Sequence, residues 1–207
     1  MLKLLGRITS INVRKALWVL DALELAYERE DWGMPIRDPK VPEFLALNPN
    51  GQVPVLRDGD FVLWESVAVM AYLNEAHGGG VLLPKDAKAR ALANQWVQWQ
   101  STEMGRHWVY PLNALVRKTP GFDDQEKLAK SIASWTQTMG IIEAQLDKGQ
   151  AFVAGDNFTL ADIAITLGLH RWFATPFEHA PMPACEAYYR RMGERPAGAP
   201  WLTAATP

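Results

Sequence analysis

Two neighbouring polar residues, Glu65 and Ser66, directly follow an apolar segment and could together hold a small charged ligand. Glu65 offers a carboxylate to an ammonium group. Ser66 offers a hydroxyl at the predicted start of a helix, where unpaired backbone N–H groups attract a carboxylate. An ammonium group next to a carboxylate describes the end of an α-amino acid. Because the same two residues could simply cap a helix, the pair alone leaves a purely structural role open.

The segment before this pair, residues 48–54, reads Asn-Pro-Asn-Gly-Gln-Val-Pro and leads into an apolar strand. Pro54 has no N–H to donate to a sheet, so it is expected at a strand start or edge. If the Val53–Pro54 bond is cis, as about 5–6% of X–Pro bonds are, the N–H and C=O of Val53 would face outward, where an extended peptide could pair with them. Asp58-Gly59 predicts a tight hairpin after this strand. The segment and the Glu65-Ser66 pair together predict a compact site for a ligand with an amino acid's charged groups.

Composition limits the function classes. The 207 residues are 48% hydrophobic and 21% charged with a formal net charge of −2, which is ordinary for a globular protein of one or two domains. This charge gives no overall attraction to nucleic acid or to an anionic membrane. No apolar run approaches the roughly 20 residues of a membrane helix, and residues 1–5 are too short an apolar run for a signal peptide.

A single cysteine, Cys185, excludes an intrachain disulfide and a Cys-x-x-Cys dithiol site. We therefore expect the protein in a reducing compartment, the cytoplasm. The four histidines show no metal-binding spacing, so we expect no metal; they stand at positions 77, 107, 170 and 179.

Apolar spacing predicts an α/β first half and an all-helical second half. The first half is predicted as strand 2–5, helix 13–25, strand 27–32, an irregular loop 33–42, a short helix 42–47, the hairpin and helix 67–77. The second half is predicted as a helix 86–118 that breaks near Pro111, followed by helices 122–148, 158–172 and 183–192. We therefore predict a first domain 1–78, a linker 79–85 and a helical domain 86–207.

Thr159 and Asp162 predict a capping box at the start of the third of these helices, with Asp in place of the usual Glu or Gln. This helix is almost wholly apolar, so it is expected to be the central buried helix. We interpret the box as structural.

The two-part pattern of residues 48–54 and Glu65-Ser66 resembles the glutathione-binding half of the cytosolic glutathione transferase superfamily. The resemblance covers the first half of the chain strongly and the helical half more loosely. It implies a thioredoxin-like α/β domain followed by an all-α domain, with glutathione as co-substrate. In that family the proline that matches Pro54 is cis, and the backbone of the residue that matches Val53 pairs with the cysteinyl part of glutathione.

The resemblance also implies the other glutathione contacts. The Glu65-Ser66 pair would hold the γ-glutamyl end, and Gln52 and Lys40 are candidates for the glycine carboxylate. Gln52 is the better candidate because it lies inside the pattern, whereas Lys40 lies in an irregular loop.

The residue that faces the glutathione sulfur lies, in this family, between the first strand and the first helix. That loop contains neither Tyr nor Cys here, but it contains Thr9, Ser10 and Asn12. Residues 10–15, Ser-Ile-Asn-Val-Arg-Lys, resemble a bacterial serine-type branch, theta- or beta-like. Ser10 is therefore the first candidate, with Thr9 and Asn12 as alternatives. An N-cap role for Ser10 or Asn12 is compatible with this, because a helix N-terminus favours a thiolate.

The implied activity is that of a glutathione S-transferase, in which the glutathione thiolate attacks a small apolar electrophile, as in detoxification. One alternative is a glutathione-dependent peroxidase or disulfide reductase on the same fold. Another is a non-catalytic binding or regulatory module, which the intact binding pattern argues against. We also expect a homodimer, with no nucleic-acid or membrane partner.

Four residues of the helical half are candidates for the second-substrate pocket: Arg106, Trp108, Tyr110 and Trp172. The first three lie on the long helix that borders this pocket in the family. An aromatic core stripe with one solvated Arg explains the same residues equally well.

Overall fold

The computed structural model describes residues 1–202 in two compact units. The first unit runs from Met1 to Leu83, and the second begins at Pro84. The predicted linker 79–85 spans this boundary. No helix in the described part of the chain is long and apolar enough to cross a membrane.

The first unit is an α/β fold around one mixed sheet. Its elements are β1 Leu2–Leu5, α1 Ile11–Ala22, β2 Tyr27–Glu30, α2 Pro42–Leu45, β3 Val55–Asp58, β4 Phe61–Trp64 and α3 Ser66–Tyr72, which continues as a π-helix over Leu73–His77. The strand order is β2-β1-β3-β4. β1 pairs in parallel with β2, and β3 pairs antiparallel with both β1 and β4. Because parallel neighbours need a crossover connection, α1 joins β1 to β2.

An apolar core lies beside the sheet and includes a residue just beyond the end of β2. Its almost fully buried members are Leu5, Trp32, Phe44 and Val55. The rings of Trp32 and Phe44 lie 4.7 Å apart between centroids, and the Trp32 carbonyl accepts a hydrogen bond from the Arg7 N–H at 2.9 Å. The strand predicted over 27–32 ends at Glu30, which pairs with Leu5, the last residue of β1.

Helix α1 begins two residues earlier and ends three residues earlier than predicted. Ser10 has an extended backbone (φ −85°, ψ 122°), and its carbonyl accepts the first helical hydrogen bond from the Arg14 N–H at 3.0 Å. Ser10 is thus the N-cap by position. At the other end, Glu24 takes a left-handed conformation (φ 53°) that stops the helix after Ala22.

The second unit is helical, as predicted. Its elements are α4 Ala87–Trp99, α5 Gly105–His107, α6 Val109–Pro111, α7 Gln125–Leu146, α8 Leu160–Ala174, α9 Pro183–Gly193 and α10 Ala199–Leu202, with π-helical segments at Gln100–Met104 and Leu112–Arg117. The residues of α8 up to Trp172 are all buried, which confirms its prediction as the central helix.

The long helix predicted over 86–118 breaks at Trp108, one turn before Pro111, near which the break was predicted. Proline is tolerated in the first turn of a helix, where its missing N–H would have no helical partner. Pro111 stands in the turn that follows the break, so the helix restarts before it. The His107 carbonyl, which the proline leaves without a helical partner, accepts a hydrogen bond from the Ser131 hydroxyl at 2.9 Å.

A buried carboxylate anchors the start of α8. Asp162 accepts hydrogen bonds from the Thr159 N–H (2.6 Å), the Thr159 hydroxyl (3.0 Å), the Val153 N–H (2.9 Å) and the Tyr188 hydroxyl (2.5 Å). The predicted capping box is confirmed. Burial raises the pKa of Asp162, while the hydrogen bonds act in the opposite direction. Asp162 therefore ties together the start of α8, the preceding loop and α9.

Candidate functional site

Glycine at position 6 lets the loop after β1 approach the turn that carries Val53. A Cβ on Gly6 would overlap the side chain of Val13 and would lie 3.3 Å from the Val53 Cβ. The Gly6 N–H donates to the Glu30 carbonyl at 2.8 Å. The loop that contains the three candidate sulfur contacts is thereby fixed between the sheet and Val53.

The three candidate sulfur contacts have different partners. Thr9 Oγ1 accepts a hydrogen bond from Arg7 Nη1 at 2.8 Å. Asn12 Oδ1 accepts a hydrogen bond from the Ser66 hydroxyl at 3.3 Å. The Ser10 side chain makes no capping bond to α1, and within residues 1–202 its hydroxyl has no hydrogen-bond partner. Ser10 therefore has the hydroxyl that is most available to a ligand.

The Val53–Pro54 peptide bond is cis, as the family resemblance implies. The buried Asn48 holds the turn before it: Nδ2 donates to the Gln52 carbonyl at 2.8 Å, and Oδ1 accepts from the Asn50 N–H at 3.0 Å. In the described part of the chain, neither the N–H nor the C=O of Val53 has a hydrogen-bond partner. Both backbone groups are therefore available to a peptide-like ligand.

Glu65 has an unusual backbone conformation, with φ 72° and ψ 114°. Positive φ is uncommon for a residue other than glycine and costs of the order of 1–3 kcal/mol, and such residues cluster at functional sites. The side chain is exposed, and across residues 1–202 its carboxylate has no ion-pair or hydrogen-bond partner. Ser66, which follows it, is only 6% exposed. The two side chains of the predicted pair thus stand at the surface and just beneath it.

Lys40 and Gln52 lie beside the same turn. Lys40 Nζ donates to the Asn50 carbonyl at 2.6 Å, and a Cβ on Gly51 would lie 2.6 Å from Lys40 Cδ. The side chain of Gln52 is exposed. The structure therefore brings the lysine of the irregular loop to the predicted binding segment, although sequence reasoning ranked Lys40 behind Gln52.

Two of the predicted pocket residues have local surface partners. Arg106 is exposed and pairs with Glu103 one turn away at 3.1 Å. The Tyr110 ring lies 5.1 Å from that of Phe122, and its hydroxyl accepts a hydrogen bond from the Asp124 N–H at 3.1 Å. These contacts explain both residues without a ligand.

The two tryptophans predicted for the pocket are packed within the second unit. Trp108 is buried with the Arg171 guanidinium 4.8 Å from its ring centroid. Trp172 is fully buried, with the rings of Trp135 and Phe177 each 5.0 Å away. The alternative of an aromatic core explains both residues, and a role in substrate binding stays a prediction.

Sequence reasoning missed three cationic residues in or next to the loop between β1 and α1. Arg7 donates to Thr9, and Arg14 and Lys15 on α1 are almost fully buried. The apolar spacing of α1 carried no signal for buried cations, because such residues usually face solvent. The loop position of Arg7, which is half-buried, was equally uninformative.

The family of the chain follows from comparison with known proteins. Residues 1–75 match the family model of the glutathione S-transferase N-terminal domain, and residues 114–205 match that of the C-terminal domain. Glutathione S-transferase GstB of Escherichia coli K12 is 35% identical over 199 residues, which are 95% of this chain and 95% of that protein. The chain belongs to the glutathione S-transferase family. The resemblance inferred from residues 48–66 is confirmed.

Similar structures confirm the fold of this glutathione S-transferase family member. A theta-class glutathione S-transferase from Xanthomonas axonopodis pv. citri, solved with glutathione bound, has a TM-score of 0.91 and 32% identity and covers 99% of both chains. Glutathione S-transferase D7 of Drosophila melanogaster is 36% identical over 155 residues, which are 72% of this chain and 65% of that protein. The predicted fold class is therefore confirmed, and the roles of single residues stay predictions.

We expect Cys185→Ser to leave turnover within about twofold of the unmutated protein, because Cys185 is buried in α9 of the second unit and is not part of the predicted glutathione site. Burial raises the pKa of the Cys185 thiol, and hydrogen bonding and charge from Glu143 act in the same direction. This thiol therefore stays protonated and unreactive. Steady-state kinetics checks the expectation, with circular dichroism to verify folding; loss of turnover in a folded variant would point to a protein thiol as nucleophile.

Proposed function

We propose that the protein binds glutathione in its first unit and transfers it to small apolar electrophiles. The observation that carries this proposal is the exposed Glu65 carboxylate, which is held on a left-handed backbone and has no partner among the described residues. A site that keeps a strained residue and an unpaired charge side by side is organised for a ligand with a positive group. The α-ammonium of the γ-glutamyl end supplies that group.

The remaining parts of glutathione meet groups that can donate or accept further hydrogen bonds. The α-carboxylate of the γ-glutamyl end lies at Ser66, where the helix that begins there adds unpaired N–H groups. The cysteinyl backbone pairs with the N–H and C=O of Val53, as an added strand would. The glycine carboxylate lies near Gln52 and Lys40, whose ammonium group is 2.6 Å from the Asn50 carbonyl.

The sulfur is activated by Ser10. A free thiol has a pKa of about 8.5, so only a small part of it is thiolate at neutral pH. A hydrogen bond from the Ser10 hydroxyl and the partial positive charge at the start of α1 favour the thiolate. The thiol proton passes to water, the sulfur forms a bond to the electrophilic carbon, and the leaving group departs with the electrons of its bond.

The second substrate is proposed as a small apolar electrophile. The pocket role of Arg106, Trp108, Tyr110 and Trp172, the homodimer and the cytoplasmic location remain predictions from the family resemblance. A reducing compartment suits this chemistry because glutathione must be present as the thiol.

The experiment that tests the function is a substrate panel with the purified protein and glutathione. We expect turnover with an activated aryl halide that exceeds turnover with a disulfide and with an organic hydroperoxide. Dominant activity on the disulfide or hydroperoxide would favour the reductase or peroxidase alternative. Glutathione binding without turnover of any of the three would favour a binding module.

We expect Ser10→Ala to lower turnover about tenfold at neutral pH while the KM for glutathione changes little. The lost hydrogen bond, about 1.5 kcal/mol, would raise the pKa of the bound thiol by about one unit and reduce the thiolate fraction accordingly. Thr9→Ala is the matched control in the same loop, since its hydroxyl already accepts from Arg7. If Thr9→Ala and not Ser10→Ala lowers turnover, the sulfur contact belongs to Thr9.

A further inference from the structure

A hydrogen bond joins the first turn of α1 to Ser66 of the proposed glutathione site. The Ser66 hydroxyl donates to Asn12 Oδ1 across 54 positions of sequence. Asn12 is an exposed residue in the first turn of α1, and Ser66 begins α3, which packs against α1. At 3.3 Å the bond is longer than the usual 2.7–2.8 Å or so for a hydroxyl donor. A serine hydroxyl rotates to suit its partners, so the Ser66 hydrogen can turn to another acceptor.

The direction of this hydrogen bond matters for ligand binding. A serine hydroxyl has one hydrogen, and a carboxylate can only accept. While the Ser66 hydrogen points at Asn12 Oδ1, it is not directed at a ligand carboxylate. Ser66 can bind a carboxylate through its hydroxyl only if that hydrogen turns away from Asn12.

The chemistry of asparagine allows this exchange without moving the backbone. The carboxamide has an accepting oxygen and a donating NH₂ group of nearly the same size, so a half-turn of the amide swaps them. With Nδ2 facing Ser66, Asn12 donates to Oγ, and the Ser66 hydrogen is left for the ligand. A chain of two hydrogen bonds in one direction also strengthens each of them.

We propose that Asn12 is a positioning residue for the α-carboxylate of glutathione, which turns its NH₂ group to Ser66 and so directs the Ser66 hydroxyl at the ligand. This inference rests on the proposed function. It places Asn12 at the γ-glutamyl end of the site and leaves the sulfur to Ser10. It also explains why an exposed asparagine on α1 faces a nearly buried serine on α3.

The test compares two substitutions of Asn12 by calorimetric titration with glutathione. Asn12→Asp has almost the same shape but cannot donate, and its charge repels the ligand carboxylate. We expect its dissociation constant for glutathione to rise by about thirtyfold or more, against about three- to tenfold for Asn12→Ala. Because Asn12 is exposed, both variants are expected to fold, which circular dichroism checks. Equal losses in the two variants would overturn the proposal.

A glutathione analogue without the α-carboxylate, 4-aminobutyryl-cysteinyl-glycine, separates positioning from a merely structural role. We expect Asn12→Ala to bind this analogue as the unmutated protein does, and the double variant with Ser66→Ala to bind glutathione no more weakly than Ser66→Ala alone. The pH–rate profile of Asn12→Ala is expected to stay in place. A shifted profile would assign Asn12 to the sulfur, and an equal loss for the analogue would make its role structural. Failure of the unmutated protein to bind glutathione would instead refute the proposed function itself.

Discussion

Glu65→Gln is expected to raise the dissociation constant for glutathione by about one to two powers of ten. The substitution keeps the size of the side chain but removes its charge, and a charge-assisted hydrogen bond to an ammonium group contributes about 1.5–3 kcal/mol. The backbone strain at Glu65 is the same for glutamine, so stability should change little. Isothermal titration calorimetry at fixed ionic strength measures the effect.

Glu28→Gln is the matched control for this change. Glu28 is an exposed glutamate on β2, and in the described part of the chain it has no hydrogen-bond or ion-pair partner. Glu28→Gln removes the same charge from the same unit as Glu65→Gln does. It therefore reports any general effect of net charge on the affinity for the anionic ligand. If both variants bind glutathione as the unmutated protein does, the ammonium contact does not belong to Glu65.

Asp162→Asn is expected to lower the free energy of unfolding by about 2–4 kcal/mol. The carboxylate accepts four hydrogen bonds from the Thr159 N–H and hydroxyl, the Val153 N–H and the Tyr188 hydroxyl. An asparagine presents an NH₂ group to some of these donors, which leaves buried donors unsatisfied. The midpoint and slope of urea unfolding measure the loss.

Two further variants define the origin of that loss. Tyr188→Phe removes one of the four hydrogen bonds and is expected to cost about 1–2 kcal/mol. Asp156→Asn changes an exposed aspartate in the preceding loop and is expected to stay within about 0.5 kcal/mol. If Asp162→Asn were as mild as Asp156→Asn, the capping network would not stabilise the second unit as described.

Signals that lie within a few residues of each other predicted the fold well. The Thr159–Asp162 spacing correctly located the start of α8, because a capping box acts within one helical turn. The Asn-Pro-Asn-Gly-Gln-Val-Pro segment correctly located the turn and strand β3. The break of the long helix was predicted near Pro111 and lies at Trp108, one turn upstream, because proline restricts the residues before it.

The candidate site could be predicted only in part. Glu65 and Ser66 were found from their sequence pattern, but the left-handed backbone of Glu65 had no local signal, since glutamate rarely adopts it. The sequence put Ser10 first but kept Thr9 and Asn12 as alternatives, because the partners of all three are set by tertiary contacts. The Asn12–Ser66 hydrogen bond spans 54 positions, and no local pattern encodes such a distance.

The central claim, that Ser10 stabilises the thiolate of bound glutathione, is tested most directly by titrating that thiol. The ultraviolet absorbance of the thiolate, followed against pH with the protein saturated by glutathione, gives the pKa of the bound thiol. We predict a pKa clearly below the free value of about 8.5 in the unmutated protein and in Thr9→Ala, and a pKa about one unit higher in Ser10→Ala. An unchanged pKa in Ser10→Ala would contradict the account and assign the ionisation to other groups of the loop and to the start of α1.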